Sequence, residues 1–417
     1  PHFIRTEDYA HGADELHGAG GELRVEERRV NWEILDAWRD AAEECGIPKI
    51  REFNRGDNFG NAYFQMNQKR GVRWSNTKAF LRPVMHRPNL TVLTHAHVNR
   101  IRFDTANGNR RATGVEFRTG QGGNEFAEAK REVVLSAGAI GSPQILQLSG
   151  IGPGSLLQES GLPVLHDLPG VGENLHDHLQ IRIMYKVKNT VTLNERTHSL
   201  IGKMAMGLEY LFFRTGPLTM PPSQLGAFAR SDPSQASANI EWHVQPLSLE
   251  KFGEPLHPFP AITPSVCNLR PTSRGHVRIK GSDPQAHPAI KLNYLSTEED
   301  KRVAVDSIHM TRRIMKAKAL QKYQPEEFKP GPGIATDEAL RKAAGDLGTT
   351  IFHPVGTCKM GGDELAVVDD RLRVHGVQGL RVIDASVMPR ITSGNTNAPV
   401  TMIAEKGAQM LLEDNKP

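Results

Sequence analysis

The segment His353-Pro354-Val355-Gly356-Thr357-Cys358-Lys359-Met360-Gly361 is where reactivity is expected first. A proline disfavours the helical region for the residue before it, so His353 is held extended and loses freedom. Gly356 then permits close approach of backbone. A histidine pinned in this way is either a group that exchanges a proton near neutral pH or a hydrogen-bonded structural residue. The segment alone leaves both readings open. Forty-two residues after His353, Asn395 and Asn397 stand in Ser393-Gly394-Asn395-Thr396-Asn397-Ala398-Pro399. This is a turn that opens a helix, and the two asparagines are expected to form an Asx-type turn and cap whatever else they do.

Two more histidine pairs, His95-Ala-His97 and His176-Asp-His178, have a spacing that a strand would place on one face. No third ligand stands out near either, so they are read as ordinary polar residues and no metal is expected. The strict Gly-x-Gly-x-x-Gly and phosphate-loop patterns are absent; Gly170-Val-Gly172-Glu-Asn-Leu comes nearest and lacks the third glycine. Gly-x-Ser-x-Gly and His-Glu-x-x-His are absent as well, which weakens hydrolase readings.

Several elements must carry these groups. Residues 31–46 predict an amphipathic helix with Ile34, Leu35, Trp38, Ala41, Ala42 and Cys45 on one face, Asn31 as cap, and Gly46 with Pro48 as stop. Residues 89–94, 98–103, 114–117 and 131–136 read as strands, with turns at Gly108 and at Gly120-Gln-Gly-Gly. The last run ends in Ala137-Gly138-Ala139-Ile140-Gly141, after which Ser142 is a natural cap and Pro143 a natural first helical residue. A strand meeting a helix through small residues lets a nucleotide approach backbone; a tight packing turn is the alternative. Further on, a helix with Ile201, Met204, Leu208 and Leu211 leads into Gly216-Pro217-Leu218. Strands at 239–244 and 276–280 follow, then a helix with Ala304, Val305, Ile308, Met315 and Ala319 on one side. Grouped strands flanked by helices suggest an antiparallel sheet inserted in a nucleotide-binding domain. The turn-rich 251–264 reads as a loop or lid.

The 417 residues suffice for two or three domains, and 51 basic against 47 acidic residues, mixed along the chain, give no nucleic-acid stripe. No apolar run approaches a membrane span. Three scattered cysteines suit a reducing, cytoplasmic compartment and no disulfide framework.

Position by position, Gly138-Ala-Ile-Gly-Ser142-Pro143-Gln-Ile-Leu-Gln-Leu-Ser149-Gly150-Ile-Gly152 resembles the second signature of the glucose-methanol-choline (GMC) oxidoreductases. His353-Pro-x-Gly-Thr-Cys-x-Met-Gly and Leu380-Arg-Val-x-Asp-Ala-Ser-x-Met-Pro389 are similar to that family's C-terminal blocks, and the likeness spans the chain. Within the family the text is most similar to bacterial choline and aliphatic alcohol dehydrogenases. The resemblance implies an α/β plus α+β architecture, a Rossmann-like FAD-binding domain with an inserted antiparallel-sheet substrate domain. Its expected parts are a shared helical and loop segment over 1–88, FAD-domain sequence over 89–180, the substrate domain over 181–350, and a return to the FAD domain over 351–417. Family members carry a glycine-rich loop ahead of all this, and the given chain is expected to start after it, on the order of a hundred residues in.

The activity implied is FAD-dependent oxidation of a primary alcohol to an aldehyde. His353 would take the hydroxyl proton while the carbinol carbon gives a hydride to flavin N5, and Asn395 would hydrogen-bond the developing alkoxide. Cofactor contacts are implied for backbone of Val98 at the adenine, for Ala137 and Gly138 along the ADP moiety, and for Asp384, Ala385, Asn397 and Ala398. The partners implied are a small alcohol and an electron acceptor, either oxygen or a quinone-linked carrier, with peripheral attachment to the inner membrane compatible. Two other classes stand beside this: a flavin-free remnant, and a lyase that cleaves hydroxynitriles with a similar histidine. If the alcohol is choline, Glu241-Trp242 is the candidate for its trimethylammonium group.

Overall fold

Helical spacing of Ile34, Leu35, Trp38, Ala41 and Ala42 produces α1 (Glu33–Glu44), with all five side chains buried. Trp32 occupies the cap position expected of Asn31, whose side-chain Oδ1 instead accepts from Arg28 Nε at 2.9 Å. The computed structural model describes residues 1–120 and 122–416; Gln121, within the predicted Gly120–Gly123 turn, lies outside them. After α1 comes β1 (Gly60–Tyr63), then β2 (Ala96–Asp104), β3 (Arg111–Thr119), β4 (Asn124–Glu128) and β5 (Val133–Leu135). The expected strand at 89–94 does not form. Its residues are exposed save the half-buried Leu90, and no described strand lies beside them to take their hydrogen bonds.

Next are α2 (Gly138–Leu148), β6 (Leu179–Arg182), β7 (Met184–Lys186) and α3 (Leu200–Phe213). They lead to β8 (Leu225–Ala229), β9 (Ile240–Gln245), β10 (Ala261–Asn268) and α4 (Glu298–Met315). The chain closes through β11 (Glu326–Lys329), β12 (Gly348–Thr350), β13 (Leu380–Val382) and α5 (Asn397–Asp414). The expected amphipathic helix near 201 forms as α3, but its apolar side faces outward: Ile201 is 80% exposed, and Met204, Leu208 and Leu211 are exposed too.

Two layers of structure result. An antiparallel sheet runs β11-β7-β10-β9-β8-β1, with β6 pairing both β10 and β12. One face of it, with Ile181, Val244, Trp242 and Val266, packs on α1 and α4 as the main apolar core. The second unit pairs β13 with β5 in parallel, Leu380 opposite Val133 and Val382 opposite Leu135. Around that pair lie α2, the β2-β3-β4 sheet and a second core of Leu146, Ile151, Val368 and Val382. Leu380–Val382 thereby lies beside Val133–Leu135, and β1 brings a strand from the first 88 residues into the antiparallel sheet.

Candidate active site

Residues 353–358 are stitched to two other segments. Val355 and His176 exchange backbone hydrogen bonds at 2.9 and 3.2 Å. Gly356 sits at φ +93°, and a Cβ there would stand 2.6 Å from the Asn174 carbonyl oxygen, so only glycine fits this crossing. The backbone N–H of His353 donates to Asp177 Oδ1 at 2.9 Å, while Thr350 and Tyr294 hydroxyls donate to Oδ2. Burial pushes the Asp177 carboxyl up, and those donors pull against it. The His176-Asp-His178 run is therefore a splint for His353 rather than part of a metal site.

His178, fully buried, meets the His353 ring edge-on. Its Nε2 lies 3.3 Å from the Leu269 carbonyl oxygen, which only accepts, so this nitrogen carries the proton. Its Nδ1 must then be the acceptor in the 3.1 Å contact with His353 Nδ1. That assigns the His353 proton to Nδ1 and leaves Nε2 with a free lone pair. Burial, and next the neighbouring His243, lower the His353 pKa to about 4. The imidazole is thus neutral, and its basic nitrogen is Nε2.

Asn395 Nδ2 stands 3.4 Å from that same Nε2, a long contact that leaves room for a third group. The two side chains the sequence singles out therefore share one spot. The expected capping does not occur: Thr396 holds the cap position of α5, and no side chain caps it. Asn397 spends its amide on Asn67 Oδ1 at 3.2 Å, while Asn395 turns its side chain to His353 and His243 rather than to the helix. Ala398 follows in the exposed first turn of α5.

The other expected cofactor residues meet at the β5-to-α2 turn. Ala137 is its cap position and Gly138 opens the helix, four residues before the predicted Ser142 cap. Ser142 Oγ instead accepts from Ala137 N and donates to Asp384 Oδ2, which also takes the Gly138 N–H. Asp384 Oδ1 is filled by Ser386 N and Oγ. Asp384 thus shapes the turn from beneath with its side chain already spent, and Ala385 follows it in a short 3-10 turn. Pro143 lies inside the helix, where it has no N–H to give the Ala139 carbonyl. Thr357 Oγ1 supplies the missing donor at 2.6 Å, tying α2 to the His353 segment. Val98 lies on β2, which Ser149 Oγ at the end of α2 joins through Ile101 N.

One group sequence reasoning missed is a polar face on the antiparallel sheet. Gln180 and Arg182 alternate with Leu179 and Ile181 along β6; they stand opposite Cys267 and Ser265 of β10, which stand opposite Glu241 and His243 of β9. All six are buried. Glu241 Oε1 lies 3.2 Å from His243 Nε2, out of line for a hydrogen bond, so charge holds this pair. Burial is the largest influence on the His243 pKa and would lower it; the Glu241 carboxylate and the Asn395 side chain together outweigh it and raise the pKa. Trp242 points the other way, into the core, with its Nε1 on Thr311 Oγ1, so the pairing of Glu241 with Trp242 around a ligand is corrected by strand alternation. Among the described residues, Glu241, His243 and Cys267 are also the one group of metal-ligand types that converges; burial keeps the Cys267 thiol protonated. His95 and His97 are exposed, with His97 Nε2 at the Pro284 carbonyl oxygen.

Models of the GMC oxidoreductase family match residues 1–180 and 271–404. The chain belongs to the GMC oxidoreductase family. It is 40% identical over 415 residues to the oxygen-dependent choline dehydrogenase of Serratia proteamaculans, covering 99% of this chain and 74% of that one. Its match to the Escherichia coli O17:K52:H18 protein of the same name is 41% over 416 residues, at 99% and 74% coverage. Among solved structures it resembles pyridoxine 4-oxidase from Mesorbium loti, with TM-score 0.86 and 29% identity over 100% of this chain and 76% of that one. It also resembles a formate oxidase from Aspergillus oryzae RIB40, with TM-score 0.89 and 25% identity over 100% and 78%.

Membership makes the chain an FAD-dependent, alcohol-oxidising enzyme, and the residues present fit that cofactor. A Cβ added at Gly138, at φ +77°, would meet nothing within 4 Å, so the turn faces open space. Asn99 Oδ1, beside Val98 at a bulge in β2, is buried without a partner. The uncapped start of α5 leaves backbone donors for an electron-rich ring edge. No helix among the described residues is long and apolar enough to cross a membrane.

Proposed function

We propose that the enzyme oxidises a primary alcohol to an aldehyde, with His353 as the base. The observation that carries this reading is the meeting of His353 Nε2 and Asn395 Nδ2 at 3.4 Å, with the Nε2 lone pair directed by the His178 chain. Full proton transfer from an alcohol to a free imidazole is uphill by about nine pKa units, roughly 12 kcal/mol, and the lowered pKa of His353 makes it steeper, so a base alone is insufficient. FAD, when bound, supplies the acceptor for the two electrons and one proton that leave the carbinol carbon as hydride. His353 takes the hydroxyl proton at Nε2, and Asn395 donates to the oxygen as charge grows there. Asp384, through Gly138 and Ser142, holds the turn that Ala137 and Gly138 offer to the cofactor, with Val98, Ala385, Asn397 and Ala398 around it.

Choline as the particular alcohol is a second reading, favoured by the 40% identity to oxygen-dependent choline dehydrogenases. The test of the main reading is His353→Ala in the FAD-loaded enzyme. The expected result is a kcat lower by about 10²- to 10⁴-fold with flavin retained. Near-normal turnover would remove His353 from the role of base.

A further inference from the structure

Arg182 is buried, 3% exposed, and no described carboxylate pairs with it within salt-bridge distance. Its Nη1 reaches the Glu250 backbone carbonyl oxygen at 3.4 Å, and the Phe252 ring covers its face with the guanidinium carbon 4.9 Å from the centroid. The Glu250 side chain is engaged elsewhere, by Lys329 and His257. Arg182 Nε and Nη2 are left without any partner. Those two nitrogens form one edge of the guanidinium fork, two parallel N–H groups at the spacing of carboxylate oxygens. A buried guanidinium with that edge unpaired is costly to keep unless something anionic pairs with it.

Its position relates it to the reacting atoms. His178, at His353, immediately precedes β6, and Arg182 ends that strand, four residues or about 13 Å further along the backbone. We propose that Arg182 anchors the carboxylate of the substrate, so that the preferred alcohol is an ω-hydroxy carboxylate of medium chain length, with its hydroxyl at His353 and its acid group on the Nε/Nη2 edge. This rests on the alcohol-oxidising reading given above and refines its substrate class. A trimethylammonium group at the same place would meet the guanidinium as a like charge, which sets this substrate apart from choline. Glu241 is consistent with it, because its charge is matched by His243 and does not repel the ligand.

The test uses the full-length, FAD-loaded enzyme, with 8-hydroxyoctanoate, 1-octanol and choline as substrates and octanoate as a ligand that cannot react. The ratio of kcat/KM for 8-hydroxyoctanoate to that for 1-octanol is expected to exceed one, and to fall roughly 10- to 100-fold in Arg182→Met, mainly through KM. Arg182→Lys should restore part of it. Calorimetry should show octanoate binding to the unaltered enzyme and not to Arg182→Met. Equal use of the two eight-carbon substrates, a preference for choline, no octanoate binding to the unaltered enzyme, or an unchanged ratio in Arg182→Met would each overturn the proposal. So would loss of FAD from that variant, which would reassign Arg182 to the cofactor. If no alcohol reduces the flavin while octanoate still binds through Arg182, the anion site stands and the alcohol-oxidising reading fails. Octanoate binding to the unaltered enzyme needs no variant, so a misfolded Arg182→Met leaves the proposal decidable.

Discussion

His178 and His353 face each other Nδ1 to Nδ1 at 3.1 Å, and the proton between them belongs to His353. The Leu269 carbonyl fixes this, because it obliges His178 to be protonated on its far nitrogen. A backbone oxygen thus selects which nitrogen of His353 is basic. His178 acts on the reaction through another residue and is a positioning group.

The tautomer chain predicts how His178 can be replaced. His178→Asn keeps one acceptor and one donor, whereas His178→Leu keeps neither. Turnover should fall by about 10- to 100-fold in the leucine variant and by clearly less in the asparagine variant, with KM little changed. Steady-state kinetics on both checks this; equal losses would mean that His178 only fills space.

Asn395→Ala removes the donor aimed at the growing alkoxide. The expected loss is about 10²- to 10³-fold in kcat, with flavin content unchanged. An unaffected kcat, read from single-turnover flavin reduction, would leave His353 working without that partner.

Three histidines, His176 and His178 buried and His353 half-buried, make stability depend on pH. Burial, chiefly, lowers the pKa of His176 to about 4, of His178 to about 3 and of His353 to about 4. Unfolded, each titrates near 6.5, so below that pH the unfolded chain binds protons that the folded one does not. Stability is therefore full above pH 6.5 and falls as pH drops toward 4, by on the order of 1 kcal/mol per pH unit for each histidine. Urea midpoints at pH 7 and pH 5 should differ accordingly, and His178→Asn should flatten the slope. For the same reason the acid limb of kcat/KM should lie well below pH 6.5.

Thr357→Val should cost about 1–3 kcal/mol, because the Ala139 carbonyl is left without a donor inside the fold. Pro143→Ala supplies an N–H that can return to Ala139, so the double variant should recover part of that loss. A thermal denaturation cycle on the four proteins reads the coupling; strict additivity would show that the carbonyl finds another partner.

Local chemistry made part of this legible in advance. Pro354 and Gly356 announced a pinned histidine and a close crossing, and hydrophobic spacing announced α1 and α4. Asn395 beside His353 came from family likeness, since nothing in the residues themselves measures a distance across 42 positions. The caps were misjudged because Ser142 and Asn397 had long-range partners, Asp384 and Asn67, that outcompeted the local role. The strand at 89–94 failed because alternation says nothing of whether a neighbour is present. His178 was visible only as half of a possible metal pair. The polar sheet face was hidden because its members come from three strands, each contributing every second residue.

The alternation along β9 also limits how this enzyme can change. Glu241 and His243 stand on the polar face and Trp242 and Val244 in the core. One inserted or deleted residue would swap the two sets, placing a carboxylate and an imidazole in oil and an indole over the reacting atoms. Selection for new substrates can therefore work here by exchanging single side chains at alternate positions, while length changes in the strand are closed to it. Novelty by insertion is left to the loops, and residues 246–260, which pass over Arg182, are the stretch that adjoins this face.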